Sequence, residues 1–544
     1  MAKNAEEPES KSSGKHMIPT TQGPAEDFEP ASPATVEAEG DAHALVDVEQ
    51  LGLFAAIASL SYVFWICGGM EMIERLAYYG VKAVATLYAK DPVSKGGLGI
   101  TLTSFGVILF VWALVQTVVP VFTGGLSDRY GYKETIFVST FVKISGYVTM
   151  GLFPTFWGFF WGAMLLATGT AIFKPGIQGT LVKATSRKNS SMAWGVFYQT
   201  VNIGGYLGPL VAGFMRKMEW KYVFFACAGI ICFNFIFLAL YKEPDKEERI
   251  ARNKLYKEGK AKRDSLWLES LKELKKPHVW TYLAIFSGFW FMFNALFDVL
   301  PAHIDDWVNT HEVVRTLFGT HGTTNGVIKF FVVMSKDGKR IQPEGMLNLD
   351  AGMIMTTCFI FAWISGKMRA ITSMVVGTLL ATAALFMVGF SVGGWIVVFA
   401  ILIFAIGEML SSPKFSEYIG NFAPADKKAM YLGFSQIPLA IGWSLEGFIG
   451  PALYDHFGSK DRFARELLLQ KGMPAAQVHA IKQGEAFQHL VAYTHDTPQH
   501  LTNVLYNSHH VGAIWVALGV IGILSAIGIY VYGRWVMTLV KKPS

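Results

Sequence analysis

Apolar runs of about 20 residues recur along this chain, each long enough to cross the hydrocarbon core of a bilayer as a helix. They lie near 52–89, 101–123, 134–153, 156–181, 193–215 and 220–241, and again near 279–306, 347–366, 371–390, 393–422, 430–455 and 511–538. In hydrocarbon every backbone N–H and C=O must find its partner inside the protein, so such runs dictate helices. The expected fold class is an all-α polytopic membrane protein with 12 transmembrane helices in two six-helix bundles, 51–241 and 278–539. Composition agrees. The chain is 52% hydrophobic and 16% charged, whereas soluble domains carry about 25% charge.

Residues 1–50 contain no apolar run and are rich in Glu, Ala, Pro and Ser. They cannot bury enough surface to offset chain entropy, which predicts a disordered cytoplasmic tail. No h-region follows the basic start, so a cleavable signal peptide is not expected. Between the bundles, 242–277 holds twelve Lys/Arg against eight Asp/Glu and reads as a cytoplasmic linker on the inner surface.

Lysine and arginine in short loops set orientation. Arg129, Lys133, Lys183, Arg187, Lys188, Lys367, Arg369, Lys427 and Lys428 lie in loops that become cytoplasmic when the N-terminus is inside, as do the C-terminal Lys541 and Lys542. Both termini are thus expected in the cytoplasm of a cell with this protein in its plasma or inner membrane. Arg216, Lys217 and Lys221 break the rule on the outer side. The net charge of +6 reads as these basic loops against the lipid bilayer, with no nucleic-acid partner. Cys67, Cys227, Cys232 and Cys358 all lie in apolar runs without metal-ligand spacing; they read as small core residues forming no disulfide.

Two long insertions face outward, 309–346 and 457–510. In the first, Asp337-Gly338 follows the apolar run Val327–Val333 and signals a hairpin. The second reads as two short amphipathic helices, around Arg462–Gln470 and Ala475–His489. His303, Asp305 and Asp306 read as a helix end facing water rather than a metal trio.

The first span is unlike the others. Glu71, Glu74, Arg75, Tyr78, Tyr79 and Lys82 share one face of it, at about 100° per residue. One charge at the bilayer centre costs roughly 2.5–3.5 kcal/mol, so four facing lipid would cost about 10 kcal/mol. The face must therefore point into the protein or a water-filled interior. Lys174, inside the fourth span, needs an anionic partner for the same reason, and the Glu71/Glu74 pair offers one. Such a network titrates as a unit, and protonating a glutamate frees a cation to meet a substrate carboxylate.

The loop Gly124-Gly125-Leu126-Ser127-Asp128-Arg129-Tyr130-Gly131-Tyr132-Lys133 resembles the signature of the major facilitator superfamily. Small residues such as Gly124 permit close helix approach, Asp128 can meet a basic residue or helix end, and Arg129 anchors the cytoplasmic side. The second half carries a degenerate echo, Ser365-Gly366-Lys367-Met368-Arg369. Glu71-x-x-Glu74-Arg75-x-x-Tyr78-Tyr79-Gly80 resembles the first-helix signature of the proton-dependent oligopeptide transporters within that superfamily. Phe197-Tyr198-Gln199-Thr200-Val201-Asn202-Ile203-Gly204, Phe173-Lys174-Pro175-x-Ile177 and Gly407-Glu408-x-x-Ser411-Ser412-Pro413 resemble its fifth, fourth and tenth helices.

The resemblance implies a symporter, not an enzyme, with protons as coupling ion and no cofactor. Its substrates would be short peptides or similar small zwitterions. It assigns proton coupling to Glu71, Glu74, Arg75 and Lys174, with Asp298 as the candidate acid of the second half. It places the peptide carboxylate near Arg75 and Lys174 and the ammonium near Glu408, with Tyr78, Tyr79, Lys82, Tyr198, Asn202, Asn294, Ser412 and Phe434 around them. Departures lie in the second half. Phe289-Trp290 is followed by Asn294-Ala295 where the family has an acid and Gln, and Asp298 one turn on is the available substitute. Phe434 stands where the family often has Trp. Lys414, Glu417 and Glu446 are additional charges, the first two read as a local pair. Two other readings stay open: transport of another organic solute or drug, and a non-transporting sensor on the same fold.

Overall fold

The computed structural model describes residues 53–185, 190–243, 274–422 and 434–540, with isolated positions between 244 and 274. The expected tail at 1–50, most of the linker, and Arg187, Lys188, Lys427, Lys428, Lys541 and Lys542 lie outside the described residues.

Twelve long helices appear where the apolar runs stand. In the first half they are α1 (Tyr62–Lys90), α2 (Leu102–Tyr130), α3 (Tyr132–Leu152), α4 (Phe156–Lys183), α5 (Ser190–Met215) and α6 (Trp220–Leu240). In the second they are α7 (Pro277–Asp298), α8 (Pro343–Gly366), α9 (Ala370–Gly389), α10 (Gly394–Phe422), α11 (Gln436–Phe457) and α12 (Ala513–Val540). Nine of them are apolar enough throughout to cross a membrane by composition alone, and α1 is not among these. Large side chains such as Phe141, Trp157, Trp363 and Leu524 lie exposed on the helix exteriors, as a lipid-facing belt requires.

Local chemistry fixes the helix ends. The first run is divided into Leu53–Ala58 and α1, because the Ser61 hydroxyl accepts from Phe64 N–H at 3.3 Å and starts a new helix. The seventh run breaks after Asp298, and Leu300–Trp307 continues with Pro301 near its start, where a missing N–H costs nothing.

Helix packing defines the halves and their joint. α1 packs on α5 and α6, α3 on α4, α9 on α10 and α12, and α7 on α11 and α12. Between halves, α2 meets α11 and α5 meets α8. Close approach rests on glycine: a Cβ on Gly106 of α2 would lie 2.9 Å from the Gly447 carbonyl of α11.

The insertions depart from expectation. Val327–Val333 does not form a strand; Gly326–Phe331 is helical, because the Asn325 side chain accepts from Val327 and Ile328 N–H at 2.9 and 3.3 Å. The hairpin shrinks to one antiparallel bridge, Met334 to Ile341, around Gly338 at φ 68°. Residues 457–510 hold four helices rather than two: Lys460–Gln470, Ala475–Ala480, Ala486–Thr494 and Pro498–Ser508. Gly484 at φ 85° interrupts the second expected helix, and Thr497 caps the last. Phe463, Leu468, Leu490, Leu501 and Leu505 give this insertion a core of its own, closed by Trp307.

The four cysteines are unpaired. Cys67 and Cys227 are core residues as expected, but Cys232 is on the outside of α6.

Candidate functional site

The charged face of α1 is buried, and its groups fan out to different neighbours. Arg75 Nε donates to Glu71 Oε1 at 2.8 Å, and its Nη2 lies 2.8 Å from Glu74 Oε2. The other Glu74 oxygen accepts from Thr170 of α4 at 3.2 Å and lies 3.6 Å from Lys143 Nζ of α3. Glu74 and Lys143 are both fully buried. α5 reaches this level only through glycine: a Cβ on Gly204 would stand 2.4 Å from the Met72 carbonyl and 2.8 Å from Arg75 Cβ.

Lys174, expected as the partner of the glutamates, is half-buried on α4 and forms no ion pair among the described residues, although its charge acts on both carboxylates. Lys143 holds the contact instead. The sequence reading passed over Lys143; the available signal was a lone lysine inside an apolar run, Phe141-Val142-Lys143-Ile144.

The two adjacent phenols part company. Tyr78 turns to α2, with its ring edge-on to Trp112 at 6.2 Å and the Arg75 guanidinium 5.4 Å from its centroid. It is therefore packed among helices of the first half. Tyr79 faces the second half, within electrostatic reach of Glu408 and Asp350. Tyr198 of α5, a residue 38% exposed, is also in the field of Tyr79 and Glu408 and so borders the space between the halves. Asn202 donates to the Tyr198 carbonyl at 2.9 Å.

Across that space the second half presents acids. Glu408 of α10 has a buried Oε2 with no hydrogen-bond partner, and Asp350 of α8, 3% exposed, has an unpartnered Oδ1. The two act on each other electrostatically. Asp350 is a second residue the sequence reading missed, again a single charge inside one apolar run. The Ser412 hydroxyl and Trp290 Nε1 are also buried without partners. Asn294 donates along its own helix to the Trp290 carbonyl at 2.7 Å, and Phe434 is buried just before α11.

Lys82 lies one full turn beyond Tyr78 and forms a buried ion pair with Asp298 at the end of α7. Trp443 Nε1 of α11 donates to Asp298 Oδ2 at 3.1 Å, and Thr86 donates to the Asp298 carbonyl at 2.9 Å. Asp298 is thus an interior group joining the halves. Glu446, unexplained by sequence, sits fully buried in the field of Asp298 and Lys82.

Nearer the insertions, Lys90 pairs with Asp305 at 2.8 Å and Asp306 at 2.7 Å. Arg216 donates to Glu344 at 2.6 Å and to Gln342 at 2.5 Å, which accounts for one basic residue on the nominal outer side. His303 does not face water as expected. It is fully buried, and Trp515 Nε1 donates to its Nδ1 at 3.2 Å. Among the described residues, the ion pairs that cross between halves all lie at the insertion end of the molecule. A cavity of about 290 Å³ is left there, lined by Lys90, Asp305, Asp306, Arg340, Lys460 and Phe487.

Gly124, Asp128 and Arg129, expected in a loop, belong to the end of α2; the side chains of Asp128, Arg129 and Glu417 lie outside the described residues. Lys414 is buried in α10.

Two six-helix halves around a charged interior define a multi-pass membrane protein of the transporter class. Residues 71–451 match the model of the Major Facilitator Superfamily, and the chain belongs to that family. Among curated relatives, the uncharacterised transporter YclF of Bacillus subtilis (strain 168) is 26% identical over 36% of this chain and 40% of its own length, so that match spans less than half of the relative. The multidrug resistance protein MdtH of Edwardsiella ictaluri (strain 93-146) is 21% identical over 66% of this chain and 79% of its own length. Among solved structures, the peptide transporter POT in complex with sulfate has a TM-score of 0.61 at 16% identity, covering 93% of this chain and 99% of that one. A POT family transporter in complex with 5-aminolevulinic acid has a TM-score of 0.63 at 16% identity, covering 90% and 99%. These structures share the fold of this chain.

Proposed function

We propose that this protein is a proton-coupled symporter of the oligopeptide-transporter branch, importing di- or tripeptides or similar small zwitterions by alternating access. The observation that carries this reading is the division of charge about Tyr79. On the first-half side Arg75, held by Glu71 and Glu74, stands with Lys174, which forms no ion pair among the described residues; on the second side stand Glu408 and Asp350. A zwitterion needs one cationic and one anionic end to meet, and the interior supplies both. The coupling ion is a proton taken up by the Glu71/Glu74/Arg75 cluster, with no cofactor and no catalytic step. The protein would sit in the cell membrane with both termini cytoplasmic.

The closed insertion end gives alternating access a physical form. Separation of the halves there must break the Lys82–Asp298 and Lys90–Asp305/Asp306 pairs. The driving force is adequate. One charge moving across about 100 mV supplies roughly 2.3 kcal/mol, and one pH unit adds about 1.4 kcal/mol. Together these sustain a gradient of several hundred-fold for a neutral solute.

A second reading, transport of a cationic organic solute, is favoured by one observation: Asp350 sets a second buried carboxyl, with an unpartnered oxygen, in the field of Glu408. The test is uptake into liposomes containing the purified protein, with labelled di- and tripeptides compared with organic cations. Concentrative uptake of peptides supports the first reading. Uptake of cations without peptides replaces it with the second.

A further inference from the structure

Glu74 lies between two cations, and the two contacts differ in kind. Arg75 is its sequence neighbour, so that ion pair stays within α1 and moves with it. Lys143 belongs to α3 and approaches the opposite carboxylate oxygen, Oε1, at 3.6 Å. Protonation of Glu74 can change how α1 sits in the bundle only through contacts that leave α1. Among the described ion pairs of Glu74, Lys143 supplies that contact.

The Lys143 site is built. The side chain is fully buried, and its Nζ has no hydrogen-bond partner. The ammonium lies 3.7 Å from the ring centroid of Phe173 on α4, whose π-face offers partial compensation. α4 makes room by carrying glycine at 169, where a Cβ would stand 2.4 Å from Lys143 Cγ. Thr170, the next residue, donates to the same Glu74 oxygen that Lys143 faces. A buried ammonium is costly unless a specific anion balances it, and Glu74 is its only ion-pair partner among the described residues.

The titratable and charged groups nearest Glu74 come from α1, α3 and α4, with α5 and α6 contributing groups that act on these in turn. α1 brings Glu71, Arg75, Tyr78 and Tyr79, α3 brings Lys143 and Tyr147, and α4 brings Lys174. α6 contributes Cys227, which acts on Tyr147, and Tyr198 of α5 acts on Tyr79 and Glu408.

We propose that Lys143 is the counter-cation of ionised Glu74 and a positioning residue for proton coupling, linking the protonation of α1 to its attachment to α3. The proposal rests on the proton-coupled reading above, and it uses a lysine on the third helix in addition to the one on the fourth.

The test is an infrared pH titration of the purified protein in lipid, with the Glu74 carboxyl band assigned by its loss in Glu74→Gln. An opposite charge at this distance shifts a carboxyl by about 1–3 pH units. Lys143→Gln is therefore expected to move the band's midpoint upward by about one unit or more, and Lys143→Arg to bring it back toward wild type. A folded Lys143→Gln protein with an unmoved midpoint overturns the proposal. Should Lys143→Gln fail to fold, the double variant Lys143→Gln/Glu74→Gln is expected to fold, because no buried Glu74 oxygen is then left without its cation; failure of both overturns it. The titration needs no substrate, so a wild-type protein that carries no peptide sinks the transport reading while the band still decides the role of Lys143.

Discussion

Lys82 of α1 and Asp298 of α7 form a buried ion pair across the two halves, and Trp443 of α11 donates to the second Asp298 oxygen at 3.1 Å. The Lys82 ammonium also lies 4.7 Å from the Trp443 ring centroid. Breaking one side of a buried pair leaves an uncompensated charge and costs about 3–5 kcal/mol, whereas removing both sides costs far less. Lys82→Met and Asp298→Asn should each lower the thermal unfolding midpoint in detergent by several degrees. The double variant should recover at least half of the loss. A double variant as unstable as the two losses combined would show that the pair does not act as a unit.

Glu408→Gln should weaken binding of peptides with a free amino terminus by about ten- to a hundred-fold, the value of a charge-assisted hydrogen bond. Binding of the same peptides after N-acetylation should change little. Competition against a labelled dipeptide checks this, and equal weakening for both peptide forms would remove the ammonium from Glu408.

Gly204→Ala should destabilise the first half. The new methyl meets the Met72 carbonyl at 2.4 Å and Arg75 Cβ at 2.8 Å, and both belong to α1. Overpacking of this kind costs about 1–3 kcal/mol. Thermal unfolding should show the loss, and Gly366→Ala, with nothing within 4 Å, serves as the comparison.

The insertion helix Lys460–Gln470 should be better protected in alkaline solution. Burial pushes the Lys460 ammonium down to about 8, against an ordinary 10.5. The folded insertion then holds this proton less tightly than the unfolded chain, so stability is lower below about pH 8 and rises as pH climbs toward 10.5. Hydrogen exchange across 460–470, corrected for intrinsic rates, should show greater protection at the higher pH. Lys460→Gln should abolish the difference.

The twelve helices were legible because hydrocarbon length and backbone satisfaction leave a 20-residue apolar run few alternatives. The α1 face was legible because four charges in one span cannot be accidental. Lys143 and Asp350 were missed because each stands alone in an ordinary span, where pattern gives no hint of the partner. Their partners come from helices distant in sequence, and only packing reveals that Lys143 rather than Lys174 touches Glu74. Asp298 could be named as the substitute acid, but not its burial against Lys82. The outer insertions were misread where local capping by Asn325 and Thr497 overruled apolar pattern.

The central claim is that protons drive uptake through Glu74, and Glu74→Gln in liposomes tests it most directly. Wild-type protein should concentrate a labelled dipeptide under an imposed inward proton gradient and should also exchange it without a gradient. The variant should keep the exchange and lose the gradient-driven accumulation. Undiminished gradient-driven accumulation by Glu74→Gln would contradict the account.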